Sequence, residues 1–476
     1  MLFNSWEFTI FFIIVYIAYL GLNHPRQNKL LLIASYVFYA GWDWRFLSLL
    51  LFSTLIDYFC GIKIQSLDSE KKRKLFLFLS VFGNLLILGF FKYFNFFTEN
   101  LQNLLQLFNI RITPNFLKII LPVGISFYTF QTMSYTIDIY RRKMLPTKNF
   151  VDFALFVAFF PQLVAGPIER AKHLLPQISN PRKINLQDFY QGSYLIFWGL
   201  FQKVFIADNL AEIVDPIFNS HGPYQGGLVI LGVYAFAFQI FCDFAGYSNI
   251  ARGLAKMLGF DIMINFNTPY FSTNPQEFWR RWHISLSSWL KDYCYISLGG
   301  NRKGKLITYR NLFITMLLGG LWHGASWTFV LWGVYHGVLL IIYRMIKPLL
   351  VKFKGIKKKQ IANLWHILKI IFFFHLIALG WLIFRAQSIE QFWNMFCSII
   401  FNVNLFSDIN LLGLGLNIIF FTWILFLVQI MQIRTNQIMI IYKQNFIFKG
   451  IFYYLCFYLM LLYGVFEKKE FIYFIF

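Results

Sequence analysis

Long, unbroken apolar runs separated by short polar clusters dominate this chain. A helix needs about 20 mostly apolar residues to cross a bilayer. Runs of this kind occupy Phe8 to Leu22, Leu75 to Phe91 and Phe116 to Ile139, among others. They are continuous rather than alternating, which predicts helices and not a transmembrane barrel. Glu7 precedes the first run, with no basic leader and no small-residue cleavage pattern, so a retained span is expected there and not a signal peptide.

The polar clusters between the runs are basic: Lys71 to Lys74, Arg141 to Lys143, Arg182-Lys183, Arg302 to Lys305 and Lys352 to Lys359. Setting all of them on the cytoplasmic side requires an even number of crossings between neighbours. Segments 75–92 with 116–139, 188–207 with 226–245, and 363–384 with 411–432 supply such pairs. The pattern therefore predicts an all-α integral membrane protein with roughly 10 to 12 transmembrane helices. It is expected to be one polytopic domain over 1–476, because no low-complexity tract or internal repeat divides it. The lack of a repeat also weighs against the inverted-repeat architecture of transporters. Between Arg142 and Arg182, the apolar segment Phe159 to Pro167 is interrupted by Pro161, Gly166 and Pro167. This predicts a re-entrant or broken helix buried in protein.

Composition supports the membrane assignment. Of 476 residues 58% are hydrophobic, 21% aromatic and only 13% charged, too few polar groups to cover a soluble fold. The net charge of +22 sits in the loop clusters, so it reads as topology and not as nucleic-acid binding. Cys60, Cys242, Cys294, Cys397 and Cys456 lack metal-ligand spacing and are expected to be reduced packing residues.

Two histidine segments carry the candidate chemistry. In Asn274 to Tyr293, read as one helix, Trp279, Trp282, Leu286, Trp289 and Tyr293 recur at three- and four-residue spacing. With Arg280, Arg281 and Lys291 nearby, this stripe predicts an interfacial helix with rings at headgroup depth. His283 lies beside it. The second segment, Gly319-Gly320-Leu321-Trp322-His323-Gly324, lies inside the apolar stretch Leu312 to Tyr343. A histidine there is a functional candidate because a polar group in hydrocarbon is costly. The glycines around it suit either a ligand tunnel or tight helix packing. His336, His366 and His375 are expected to make structural hydrogen bonds. No G-x-S-x-G, H-E-x-x-H or C-x-x-C motif occurs, and Gly299 to Lys305 imitates a phosphate loop with Leu306 in place of Ser or Thr.

These segments resemble the membrane-bound O-acyltransferase (MBOAT) family, specifically its alginate O-acetylation (AlgI) branch, with the D-alanyl transferase DltB a more distant relative. Leu121 to Tyr128, Phe159 to Ile168, Phe238 to Gly246, Phe278 to Asp292 and Arg310 to Gly324 carry the likeness, with the core motifs inside 121–345. Glu470 to Phe476 also resembles the branch's ending, with Ile475 where glutamine is expected.

The resemblance implies the MBOAT fold, with transmembrane and re-entrant or interfacial helices around a central funnel. It implies that His323 is essential and that His283 contributes to catalysis. Trp322, Gly324, Asn311, Trp282 and Arg281 are the candidates for lining the tunnel or positioning substrate, and Trp322, Asn311 or the glycine-rich backbone are the alternatives for an oxyanion donor. Neutral imidazole suits a general base near pH 7, and a covalent acyl-histidine is the alternative. The resemblance further implies acetyl-coenzyme A as cytoplasmic acyl donor, with no tightly bound cofactor and no metal. A periplasmic SGNH-type acyltransferase or an envelope polysaccharide would receive the acyl group across a bacterial inner membrane. The competing readings are a polytopic transporter or flippase and a non-catalytic scaffold for an extracellular enzyme.

Overall fold

A computed structural model describes residues 1–110, 117, 119–164, 166–352, 359–403, 409–467 and 471–472. All regular elements among them are helical. Seven helical stretches are long and apolar enough to cross a membrane: His24–Ser66, Glu70–Leu107, Gly226–Met257, Trp327–Leu349, Asn363–Arg385, Leu411–Thr435 and Phe446–Tyr463. The first contains two helices, His24–Asp43 and Leu47–Ser66, joined by the single turn Trp44–Phe46. The wider expectation of roughly 10 to 12 crossings takes in helices that are shorter or more polar. Trp6–Leu20 and Ile125–Tyr140 have 15 and 16 residues, and Gly304–His323 carries Lys305, Arg310 and His323.

Contacts along the chain gather into two compact units, residues 1–196 with 250–263, and 197–249 with 264–476. In the first unit, the helix expected from Phe116 begins only at Ile125; Phe116 itself lies outside the described residues. Pro122 interrupts the approach, and Gly124 turns the chain with φ +76°, where an added Cβ would lie 2.7 Å from the Leu163 carbonyl oxygen. The broken segment is as expected in kind: Phe150–Ala158 ends at Phe159 and the short helix Phe160–Leu163 follows. Its residues from Phe153 to Leu163 are buried, and Gln131 Nε2 donates to the Phe156 carbonyl at 2.5 Å. Ala165 is outside the described residues. Deeper in this unit, buried Asp57 accepts from Ser80 Oγ at 2.5 Å and from Asn84 Nδ2 at 2.8 Å. Neutral donors thus satisfy both carboxyl oxygens inside spanning helices. Buried Glu169, after the broken segment, accepts from the Met263 amide at 2.5 Å and bonds His173 Nδ1 at 2.8 Å. That contact with Glu169 raises the pKa of His173 above its ordinary value.

In the second unit, Gly304–His323 and Trp327–Lys352 are joined by three residues. Their crossing is a glycine contact. A Cβ at Gly333 would lie 2.7 Å from the Met316 carbonyl oxygen and 3.0 Å from Leu317 Cα, and one at Gly320 would meet the Phe329 carbonyl oxygen. Backbone can approach this closely only without side chains. The tight-packing role of these glycines is therefore real, and it fixes the height of His323 against the next helix. Gly299, Gly300 and Gly304 all take positive φ, so the phosphate-loop imitation is a left-handed turn before the helix starts. The five cysteines are free.

Candidate active site

The Trp-rich segment is not one helix. Asn274 caps Pro275–Arg281 by accepting from the Glu277 amide at 3.0 Å, while Glu277 Oε2 accepts from the Thr273 amide at 2.9 Å. The helix stops at Trp282, which is extended, and His283 is left-handed at φ 41°. His283 Nδ1 then accepts from the Leu286 amide at 3.2 Å, capping Ile284–Trp289, and the Ile284 amide donates to the Asn265 carbonyl at 2.9 Å. Asn265 also accepts from Ser285 Oγ at 2.7 Å. These contacts compete successfully with continuation of the helix.

The expected stripe therefore does not share a face, and headgroup anchoring is corrected for two of its rings. Trp282 is fully buried among Phe266, Phe278 and Trp381, and Trp289 is buried as well. With its Nδ1 lone pair engaged, neutral His283 carries its proton on Nε2.

His323 is the last residue of Gly304–His323 and is buried. Its ring meets Trp332 at 4.9 Å, Trp322 at 5.1 Å and Phe384 at 5.2 Å between centroids, each nearly edge to face. Trp322 is also 5.7 Å from His283. One indole thus joins the two imidazoles, which lie 40 residues apart in sequence.

His323 and Trp332 line a cavity of about 430 Å³. Its charged wall residues, among those described, are Arg280, Lys291 and Arg344, with no carboxylate. The cavity is otherwise mostly apolar, with Ser287, Ser288, Thr315 and Tyr295 as hydroxyl groups and Gln276 as an amide. The remaining sequence candidates stand outside this wall. Asn311 donates to the carbonyls of Leu298 at 3.1 Å and Gly300 at 2.9 Å, about 18 Å along the helix from His323. Arg281 pairs with Glu277 at 2.8 Å and donates to Thr268 Oγ1 at 3.0 Å. Trp282 and Trp322 lie in the packed aromatic layer, and at Gly324 the Phe329 ring fills the space a side chain would need.

A second cavity in the same unit, of about 650 Å³, is lined by Lys203, Asp208, Gln239, Asp243, Ser326 and Arg385, together with Phe329 and Phe384. Phe384 therefore both lines the second cavity and is in ring contact with His323. Lys203 is buried and paired with Asp208 at 2.8 Å and Asp243 at 2.7 Å. It sits in the wide-turn segment Phe201–Ala207, between Leu186–Leu200 and Asp208–Phe218. Asp243 Oδ2 accepts from the Ile472 amide at 2.7 Å, and Phe471 packs on Tyr247 and Phe244. Phe244 in turn meets His283 at 4.6 Å. Of the C-terminal motif only Phe471 and Ile472 are described; Ile475 lies outside.

Lys203 and Asp243 were overlooked in the sequence, although charges inside the apolar runs 188–207 and 226–245 are themselves a functional signal. Trp332 and Phe384 gave no signal, because nothing local distinguishes them from other core aromatics. His375 does make structural hydrogen bonds, to Tyr234 at 2.7 Å and to the Ile371 carbonyl at 2.7 Å. His336 differs from expectation: its Nδ1 is buried without a hydrogen-bond partner among the described residues, and its ring packs between Trp279 and Trp332. His366 is exposed.

The pattern defining the MBOAT, membrane-bound O-acyltransferase family, matches residues 141–384. A probable alginate O-acetylase AlgI of Pseudomonas aeruginosa is 44% identical over 399 residues, covering 83% of this chain and 74% of that protein. A peptidoglycan O-acetyltransferase of Helicobacter pylori is 37% identical over 425 residues, covering 82% and 78%. A teichoic acid D-alanyltransferase of Bacillus subtilis is 30% identical over 284 residues, covering 56% and 70%.

Proposed function

Since this chain belongs to the membrane-bound O-acyltransferase family and is a multi-pass membrane O-acyltransferase, we propose that it moves acetyl groups from acetyl-coenzyme A toward a cell-envelope polysaccharide. The observation that carries this reading is the composition of the first cavity. His323 shares its wall with Arg280, Lys291 and Arg344, and no carboxylate opposes them among the described residues. Three cations at an otherwise uncharged, mostly apolar cavity suit a donor with a phosphate-bearing head and an uncharged thioester end. The basic cluster Arg302 to Lys305 supports a cytoplasmic orientation for the start of the helix Gly304–His323, in a bacterial inner membrane.

In this reading His323 is the general base. Removing a proton from the attacking hydroxyl supplies about 10²- to 10⁴-fold in rate. The acceptor group arrives from the second cavity, whose Lys203, Asp243 and Gln239 suit a hydroxyl-rich ligand or the tip of a partner protein. An SGNH-type acyltransferase outside the membrane is the expected partner for onward transfer. His283 acts through Trp322, holding its indole against His323. The names of the relatives, alginate for one and peptidoglycan for another, support an envelope glycan as the final acceptor class.

The test is turnover of radiolabelled acetyl-coenzyme A by protein in nanodiscs, with and without candidate partners. Wild type should consume donor, His323→Ala should fold but not do so, and His283→Ala should be slowed. Equal turnover by wild type and His323→Ala would end the assignment, and no turnover by any form would rule out this donor.

A further inference from the structure

The reaction just proposed places a carbonyl oxygen beside His323, and that oxygen needs a hydrogen-bond donor as negative charge develops on it. We propose that Trp332 is a catalytic residue whose indole N–H is that donor. The inference rests on the acyl-transfer reading and adds to it a residue from the following helix, Trp327–Lys352.

Four observations converge on this side chain. Trp332 lines the first cavity together with His323. Its ring centroid is 4.9 Å from that of His323, at 83°. The residue is 1% exposed, and its Nε1 is buried with no hydrogen-bond partner among the described residues. Buried indole N–H groups ordinarily find an acceptor, and one left unmet beside a cavity calls for an explanation. Finally, the ring is fixed by Trp279 at 5.7 Å, His336 at 4.6 Å and Phe384 at 5.6 Å, and the next residue, Gly333, sits in the close backbone crossing. A donor held this firmly costs no reorganisation when charge appears.

The neighbouring groups do not combine these properties. Trp381 Nε1 and His336 Nδ1 also lack partners among the described residues, but neither residue is part of the cavity wall. Trp279 lines the cavity and its Nε1 likewise lacks a partner among the described residues, but its ring contacts are with Phe278, Trp332 and His336 and not with His323.

The step balances as follows. The acceptor hydroxyl oxygen bonds to the thioester carbonyl carbon and gives its proton to His323. The carbonyl π pair moves onto oxygen, where the Trp332 N–H meets it. When the pair on oxygen re-forms the carbonyl, the carbon–sulfur bond breaks, and the thiolate leaves with the carbon–sulfur bonding pair and takes the proton back from the imidazolium. An ester and a free thiol result, and His323 is neutral again.

The experiment compares Trp332→Phe, Trp332→His and Trp381→Phe with wild type in the nanodisc assay, reading kcat, KM and melting temperature. Trp332→Phe keeps an aromatic ring without the N–H, and its kcat should fall about 10²- to 10³-fold at near-normal KM. Trp332→His, which retains a ring N–H, should recover part of that loss, and Trp381→Phe should keep wild-type kcat. Should Trp332→Phe not fold, Trp332→Met takes its place in the comparison with Trp332→His. A Trp332→Phe enzyme with wild-type kcat overturns the proposal, as does an equal loss in Trp381→Phe or no advantage of the His variant. A wild type that turns over no acyl donor overturns the acyl-donor reading beneath it, and the proposal falls with that reading.

Discussion

Replacing Gly333 by alanine tests how tightly the crossing of Gly304–His323 with Trp327–Lys352 holds the site. The new Cβ would stand 2.7 Å from the Met316 carbonyl oxygen, 3.0 Å from Leu317 Cα and 3.3 Å from Gly320 Cα, all backbone atoms. No side chain can rotate away, so the helices must part by about 0.7 Å to restore ordinary contact, an overpacking strain of about 1–3 kcal/mol. Alanine also gains about 1 kcal/mol of helix propensity over glycine, which hides part of the strain. Gly413→Ala, in Ile409–Thr435 with nothing within 4 Å of the added Cβ, gains the same propensity without the contact. The difference between the two variants isolates the strain. At roughly 1 °C per kcal/mol for a chain of this length, Gly333→Ala should melt about 1–3 °C below Gly413→Ala in the same detergent. Activity should fall further than stability, because a shift near 1 Å in a reacting group costs on the order of 10²-fold and Trp332 is the adjacent residue. Equal melting temperatures and equal kcat for the two variants would refute the reasoning.

Two further outcomes are expected. Lys203→Met leaves Asp208 and Asp243 buried without their cation, a loss of about 3–5 kcal/mol; adding Asp208→Asn and Asp243→Asn should restore most of the melting temperature, and a triple variant no better than the single would contradict this. At His173, the Glu169 contact raises the pKa above 6.5, so its stabilisation is complete below that value and is lost as pH rises through the raised one. Glu169→Gln should flatten that part of the melting-temperature-against-pH curve, and an unchanged curve would count against the pair.

The membrane class and the two histidines were legible because both depend on local signals. Long apolar runs have one physical explanation, and a histidine between glycines in such a run needs a partner wherever the helix goes. What was not legible depends on residues distant in sequence. The helix through Trp282 and His283 is broken by Asn265, nearly 20 positions earlier, whose carbonyl and amide oxygen take the hydrogen bonds that would have continued it. The start at Ile125 was displaced by a left-handed Gly124 pressed against Leu163. Asn311 looked suited to an oxyanion because it stands in the motif, yet its amide closes the turn at Leu298 and Gly300. Trp332 became visible only when its ring was found beside His323, nine residues earlier but on the preceding helix.

That Phe384 lines the second cavity and touches His323 has a consequence for the whole cell. If the donor enters the first cavity from the cytoplasm and the acceptor enters the second from outside, as the acyl-transfer proposal requires, two bodies of water approach each other within the thickness of a few aromatic rings. A continuous water file there would let protons run down the membrane potential, which is worth about 2.3 kcal/mol per charge at 100 mV. On that proposal the rings of Phe329 and Phe384 would also be electrical insulation. The acyl group would have to pass a wall that protons must not, and an uncharged acyl carbon can slip between hydrophobic rings that a hydrated ion cannot enter.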